Sequence, residues 1–234
     1  ALTGTAADVP APAKAGSLFA GRERAIAYAA LAFVGVLQAI LLTHKGINWD
    51  EFFHLTEIYR FRAGTLTHPL QTFWVRPLSW VADTGGTSVD QIILIRLFML
   101  LAAFATAAGI FAIARRFAGT TPALLCAMAY LTAGYVFTQA FAYRADPLAA
   151  ACLVWVMWIA GAQRLSWGKV ALGAALTGLA GLFTIKSAFW VIPIGGYALW
   201  ALWPMARRQQ VSRIIRLAVL AGGGAALFAI ALAL

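Results

Sequence analysis

Seven apolar runs fill most of this 234-residue chain, and the polar gaps between them differ in charge from one side to the other. The runs cover about 25–43, 91–114, 121–143, 147–163, 170–185, 187–203 and 214–234. A helix needs roughly 20 apolar residues to cross the hydrocarbon core of a bilayer, and most of these runs come close to that length. With 62 % hydrophobic and 11 % charged residues, the chain has too little polar surface to clothe a soluble core. The pattern predicts an all-α, polytopic transmembrane bundle of about seven spans. The fifth and sixth runs are nearly continuous, but Arg164 and Lys169 precede the pair and Arg207 and Arg208 follow it. Both flanks therefore belong on one side of the membrane, and the chain must turn near Lys186.

Charge orients the bundle. If the first span runs outward from a cytoplasmic amino terminus, the inner side holds Lys14, Arg22, Arg24, Arg115, Arg116, Arg164, Lys169, Arg207, Arg208, Arg213 and Arg216 against only Asp8 and Glu23. The outer side holds Lys45, Arg60, Arg62, Arg76, Arg144 and Lys186 against Asp50, Glu51, Glu57, Asp83, Asp90 and Asp146, with Arg96 left inside a span. This bias follows the positive-inside rule and predicts a multi-pass protein of the inner (cytoplasmic) membrane with its active face outside. The net charge of +10 thus reflects topology and an anionic inner leaflet, not nucleic-acid binding. Residues 1–24, rich in Ala, Pro and Gly at their start, read as a disordered cytoplasmic tail. Cys126 and Cys152 lie inside apolar runs without partners at metal-ligand spacing and read as packing residues. Tryptophans at the ends of the runs suit an interfacial belt. The Gly222-Gly223-Gly224 run suits close helix packing.

Only the connection from His44 to about Asp90 is long, and long ordered connections tend to carry function. Asn48 is placed to cap a helix starting at Trp49, with Glu51 completing a capping box. On that helix Asp50, His54 and Glu57 share one face while Phe52, Leu55 and Tyr59 share the other, the pattern of an amphipathic helix lying on the membrane. Gly64 is placed to end it. Between Pro69 and Trp80, Leu70–Trp80 reads as a second short interfacial helix.

Three groups of residues have both a chemical and a purely structural reading. Asp50 and Glu51 are carboxylates able to act on a hydroxyl, and also first-turn acids favoured by the helix dipole. Asp50, His54 and Glu57 are residue types that a divalent cation would use, but three on one exposed helix fall short of a ligand set, and no cofactor is otherwise called for. Arg144 and Asp146 can form a local ion pair before Pro147. Lys186, the one strongly polar residue at its turn, either snorkels to headgroups or holds an anion, and Arg96 invites the same two readings. Carboxylates beside cations at lipid-phosphate depth, all on one side, are what a membrane enzyme acting on a lipid phosphate requires.

Four stretches carry a family resemblance: Trp49-Asp50-Glu51-Phe52-Phe53-His54; the run from Gly64 through His68-Pro69-Leu70 and Pro77-Leu78-Ser79-Trp80 to Ile95-Arg96-Leu97; Tyr143-Arg144-Ala145-Asp146-Pro147-Leu148; and Gly178-Leu179-Ala180-Gly181-Leu182-Phe183-Thr184-Ile185-Lys186. In order, side and spacing they resemble the polyprenyl-phosphate-dependent glycosyltransferases of the GT-C superfamily, which includes protein O-mannosyltransferases and lipid A aminoarabinose transferases. The resemblance covers about residues 45–195. It implies a module of seven membrane helices over 25–234 that transfers a sugar from a polyprenyl-phosphate-linked donor to an acceptor. It also implies Asp50 as general base with Glu51 orienting the acceptor. Lys186, Arg144 and Arg96 would bind the donor phosphate, with His54, Glu57 and Asp146 in acceptor or structural support. Family members continue with further helices, so the module is expected to be shortened at its C-terminal end. A non-catalytic membrane subunit derived from such a module, packed in a larger membrane complex, is the alternative expectation, with a transporter more distant because the span centres lack broken-helix polar pairs.

Overall fold

The computed structural model describes residues 15–67, 72–203 and 207–233, and all the regular structure among them is helical. In order these are α1 (Ala15–His44), α2 (Trp49–Arg62), a 3-10 helix (Phe73–Asp83), α3 (Ser88–Ala114), α4 (Thr120–Thr132) and α5 (Gly134–Gln139). They continue with α6 (Ala145–Ala160), α7 (Trp167–Phe183), a second 3-10 helix (Ile185–Trp190), α8 (Val191–Leu202) and α9 (Arg207–Ala233). Four segments are long and apolar enough to cross a bilayer: Gly21–His44, Ser88–Ala114, Ile185–Leu202 and Gln209–Ala233. Four such segments make the chain a multi-pass membrane protein.

The other three expected spans are apolar helices that fall short. At 1.5 Å per residue the 13 residues of α4 extend about 20 Å, the 16 of α6 about 24 Å and the 17 of α7 about 26 Å, against a hydrocarbon core of about 30 Å. The expected run 121–143 is interrupted at Ala133, whose backbone leaves the helical region (φ −56°, ψ 128°) and separates α4 from α5. The break between the fifth and sixth runs falls where the flanking charges require it: α7 stops at Phe183, Thr184 is extended, and its hydroxyl accepts from the Lys186 amide. At the amino end, helix begins at Ala15, so the residues read as a disordered tail are helical over 15–24; residues 1–14 lie outside the described residues, as do His68, Pro69, Leu70 and Gln71.

The outer connection is ordered by a core of its own. Leu55 and Ile58 of α2, Trp74, Val75, Leu78 and Val81 of the first 3-10 helix, and Ile92, Ile95 and Met99 of α3 pack together with Tyr143. Each such side chain contributes about 1.5–3 kcal/mol on full burial. The α2 helix is therefore turned differently from the amphipathic reading. Its inward stripe is Glu51, Leu55 and Ile58 with Glu57 beside it, while Phe52 and Tyr59, expected to share the apolar face with Leu55, are exposed. After α2, Ala63 caps the last turn and Gly64 takes φ +69°, the left-handed conformation that favours glycine. At the far side, α7 and α9 approach so closely that a Cβ on Gly224 would lie 2.7 Å from the Thr177 Cβ, and one on Gly178 would lie 3.0 Å from the Leu227 Cβ. Of the three glycines expected to allow close packing, Gly223 and Gly224 face α7 and Gly222 faces open space.

Candidate functional site

The site is assembled at the end of the bundle where α1 finishes, α2 and α3 begin, and the turns before α6 and after α7 meet. Its foundation is Glu51, in the first turn of α2, and Arg96, two turns into α3. The Arg96 Nε donates to Glu51 Oε1 at 2.8 Å and Nη2 to Oε2 at 2.6 Å, with both side chains almost wholly withdrawn from solvent. The remaining guanidinium donors are spent on the carbonyls of Leu42 (2.9 Å), Lys45 (2.9 Å) and Gly46 (3.1 Å). Glu51 in turn accepts from the Asn48 amide (3.0 Å) and the Tyr143 amide (2.9 Å). Burial by itself would raise the Glu51 pKa, but the hydrogen bonds from Arg96, Tyr143 and Asn48 and the Arg96 charge outweigh it and hold the carboxyl below its usual range. Expected as an acceptor-orienting acid and a phosphate-binding cation, these two bind each other instead, and neither lines the open cleft above them.

That cleft has a volume of about 370 Å³. His54, Glu57 and Arg60 line it from α2, Arg144 and Asp146 from the start of α6, Thr184 from the cap after α7 and Lys186 from the second 3-10 helix. Of the residues singled out in the sequence, His54, Glu57, Arg144, Asp146 and Lys186 therefore converge here. Asp50 does not line the cleft and joins it through Arg144. Arg144 Nη1 lies 3.5 Å from Asp50 Oδ2, Arg144 Nε lies 3.7 Å from Asp146 Oδ2, and Lys186 Nζ lies 3.4 Å from Asp146 Oδ1. The result is a chain of alternating charge, Asp50–Arg144–Asp146–Lys186, whose contacts are long and partly solvated. Pairs of this kind are worth about 0–1 kcal/mol each, so an incoming anion can displace a carboxylate at little cost. Arg60 and Thr184 were not singled out in the sequence. Arg60 could have been, since it follows Glu57 by one helical turn.

Behind the cleft lie two buried aromatic side chains. His54 sits edge-on to Trp74 at 4.9 Å and to Tyr143 at 5.8 Å between centroids, and Trp74 meets Tyr143 at 4.6 Å. His54 Nδ1 is 2.9 Å from Glu57 Oε2, so the two side chains face the cleft as a hydrogen-bonded pair. The Tyr143 hydroxyl is buried and has no hydrogen-bond partner among the described residues; burial first, and the Glu57 charge second, push its pKa well above the ordinary value. Among the described residues no three His, Cys, Asp or Glu side chains converge as metal ligands: Asp50 turns to Arg144 while His54 and Glu57 hold each other.

No family model, no curated protein and no solved structure matches this chain.

Proposed function

We propose that this protein is a membrane glycosyltransferase that moves a sugar from a polyprenyl-phosphate donor to an acceptor at the outer face of the inner membrane. The observation that carries the reading is the open cleft in which two cations from distant parts of the chain, Arg144 and Lys186, hold carboxylates only at 3.4–3.7 Å. A phosphate monoanion or dianion outcompetes such contacts, and a lysine point charge beside an arginine fork suits a phosphate that gains charge as it leaves. Arg60 adds a third cation to the same wall.

In the proposed reaction the Asp50 carboxylate takes the proton from the acceptor's nucleophilic group as that atom bonds to the anomeric carbon of the sugar. The bond from that carbon to the phosphate oxygen breaks on the opposite side, the configuration inverts, and the polyprenyl phosphate departs carrying the electron pair. Lys186 and Arg144 bind that phosphate. His54, Glu57 and Asp146 shape the acceptor side, and Glu51 with Arg96 positions the site from beneath through the Tyr143 and Asn48 amides. The three shorter apolar helices complete seven crossings in this reading, with the amino terminus inside, as the charge bias favours. The full-length protein, incubated with a short-chain polyprenyl-phosphate sugar and a mixture of lipid acceptors, releases polyprenyl phosphate. Asp50→Asn lowers that release by about 10²–10⁴-fold. Release by Asp50→Asn at the parent rate removes Asp50 from the mechanism.

A non-catalytic membrane subunit is the second reading. It is favoured by the exposed apolar surface of the second 3-10 helix and α8, where Phe189, Val191 and Ile192 are each at least 70 % exposed. Stoichiometric copurification of other membrane proteins, with no donor turnover, would favour it over the enzyme.

A further inference from the structure

The opposite end of the bundle, about 30 Å away along the length of α3 from Arg96, carries a second group of cations. Among the described residues, Arg62, Arg96, Arg144 and Lys186 near the cleft each have a carboxylate within ion-pair distance, whereas Lys45, Arg60 and Arg76 on that side do not. At the far end Arg115, Arg116 and Lys169 likewise have none among the described residues. Aromatic faces take that place. The Arg115 guanidinium lies 5.8 Å from the Phe111 ring, Arg116 lies 4.8 Å from the Trp158 indole, and the Lys169 ammonium reaches the same indole at 5.7 Å. A cation held over a ring keeps its N–H groups available at the edge, because the ring attracts its charge without accepting its hydrogen bonds in the plane. Arg116 spends one of them on the Tyr197 hydroxyl at 3.4 Å.

These side chains surround a hollow. Phe111, Ala112, Arg115, Arg116 and Trp158 line a depression of about 320 Å³ between α3 and α6. Its floor is apolar and its rim carries two guanidinium groups. A free inorganic anion would meet the rim and leave the apolar wall wet. A membrane phospholipid with an anionic headgroup satisfies both parts: the phosphodiester meets the arginines and the upper acyl segment covers Phe111, Ala112 and Trp158.

We propose that this hollow is a binding site for an anionic phospholipid, with Arg115 and Arg116 as headgroup ligands and Trp158 as the platform that fixes Arg116. The proposal does not depend on the chemistry of the cleft. Basic pockets between membrane helices recognise anionic headgroups by the same physics, and each basic residue near an anionic surface is worth about 1 kcal/mol.

The test uses the full-length protein in detergent with equal amounts of phosphatidylglycerol and phosphatidylcholine of identical acyl chains, and native mass spectrometry as the readout. The parent protein retains phosphatidylglycerol preferentially. Arg115→Gln and Arg116→Gln each reduce the retained fraction about fivefold, the equivalent of about 1 kcal/mol. Arg115 is exposed, so its variant folds as the parent does. Arg164→Gln removes one charge at the same end but outside the hollow, and leaves retention unchanged. Equal retention of the two lipids overturns the site, and so does an Arg164→Gln loss matching that of Arg116→Gln. Displacement of phosphatidylglycerol by inorganic phosphate at equal concentration overturns the lipid as the occupant in favour of a small anion.

Discussion

Arg96 and Glu51, 45 residues apart in sequence, form a two-pronged ion pair at 2.8 and 2.6 Å inside the protein, and every remaining N–H of the guanidinium is taken by a backbone carbonyl. The pair joins the end of α1, the start of α2, the second turn of α3 and the turn before α6. Buried charges are tolerated only when paired and fully hydrogen-bonded, and here both conditions are met.

Removing one partner is therefore costly. Glu51→Gln leaves Arg96 buried without a counter-charge and is expected to destabilise the fold by about 3–5 kcal/mol. Arg96→Met strands the Glu51 carboxylate in the same way and leaves the carbonyls of Leu42, Lys45 and Gly46 without that donor, so it is expected to cost at least as much. Thermal unfolding of the two variants in the same detergent decides the matter; equal and small losses in both would mean that the pair does not hold the outer loop.

The same pair sets an acid limit. The Glu51 carboxyl is held below its ordinary value in the folded state, so its contribution is fully present above the unfolded value, near 4.5, and is lost as pH falls through the lower folded value. Above about pH 6 it contributes no slope. Below about pH 4.5 the parent protein loses stability with acid more steeply than Glu51→Gln, which has no proton to take up there. Melting temperatures of both proteins from pH 6 to pH 3 measure this, and parallel curves would contradict it.

Helix packing offers a test independent of charge. A Cβ on Gly224 would meet Thr177 at 2.7 Å and the Ala174 carbonyl oxygen at 3.2 Å, while one on Gly222 meets nothing within 4 Å. Gly224→Leu is expected to separate α7 from α9 and lower stability by about 1–3 kcal/mol, an overpacking cost. Gly222→Leu, two residues away, should be neutral. Equal melting temperatures for the two variants would show that the close approach of α7 and α9 does not matter.

What the sequence made readable was local. An apolar run is a property of consecutive residues, so each of the seven runs contains a helix, and Asn48 with Glu51 does form the capping box at the start of α2. The break at Ala133 was not readable, because Ala is a strong helix former and only the following Gly134 hints at it. The candidate site divides in the same way. Asp50 and Glu51 are neighbours of the same chemistry, yet one is exposed beside Arg144 and the other is buried against Arg96. The difference lies in the Arg96 guanidinium, 45 residues on, and the Tyr143 amide, which only tertiary structure brings to Glu51. Phe52 and Tyr59 were assigned to the wrong face of α2 for a related reason: in a membrane the exposed face is as free to be apolar as the buried one, so hydrophobic periodicity alone does not say which side packs.

Lys186 separates the proposed function from a structural alternative. Its Nζ meets Asp146 at 3.4 Å with the side chain 64 % exposed, an arrangement worth little to stability. Lys186→Met should therefore leave the melting temperature within about a degree of the parent, as a surface pair of this kind predicts. A lysine that holds the leaving phosphate supplies charge where charge develops, and once the bound donor excludes water such a contact is worth about 3 kcal/mol. Transfer by Lys186→Met should then fall by about 100-fold, and carrier binding with it. Lys186→Arg keeps the charge and is expected to restore part of both. A lysine that only anchors the turn at the membrane surface would lose neither, because Trp190 and Phe189 remain beside it in the second 3-10 helix. Carrier affinity measured on the parent and the two variants distinguishes the cases: undiminished binding by Lys186→Met would withdraw Lys186 from the phosphate site and leave the non-catalytic subunit as the better account of the cleft.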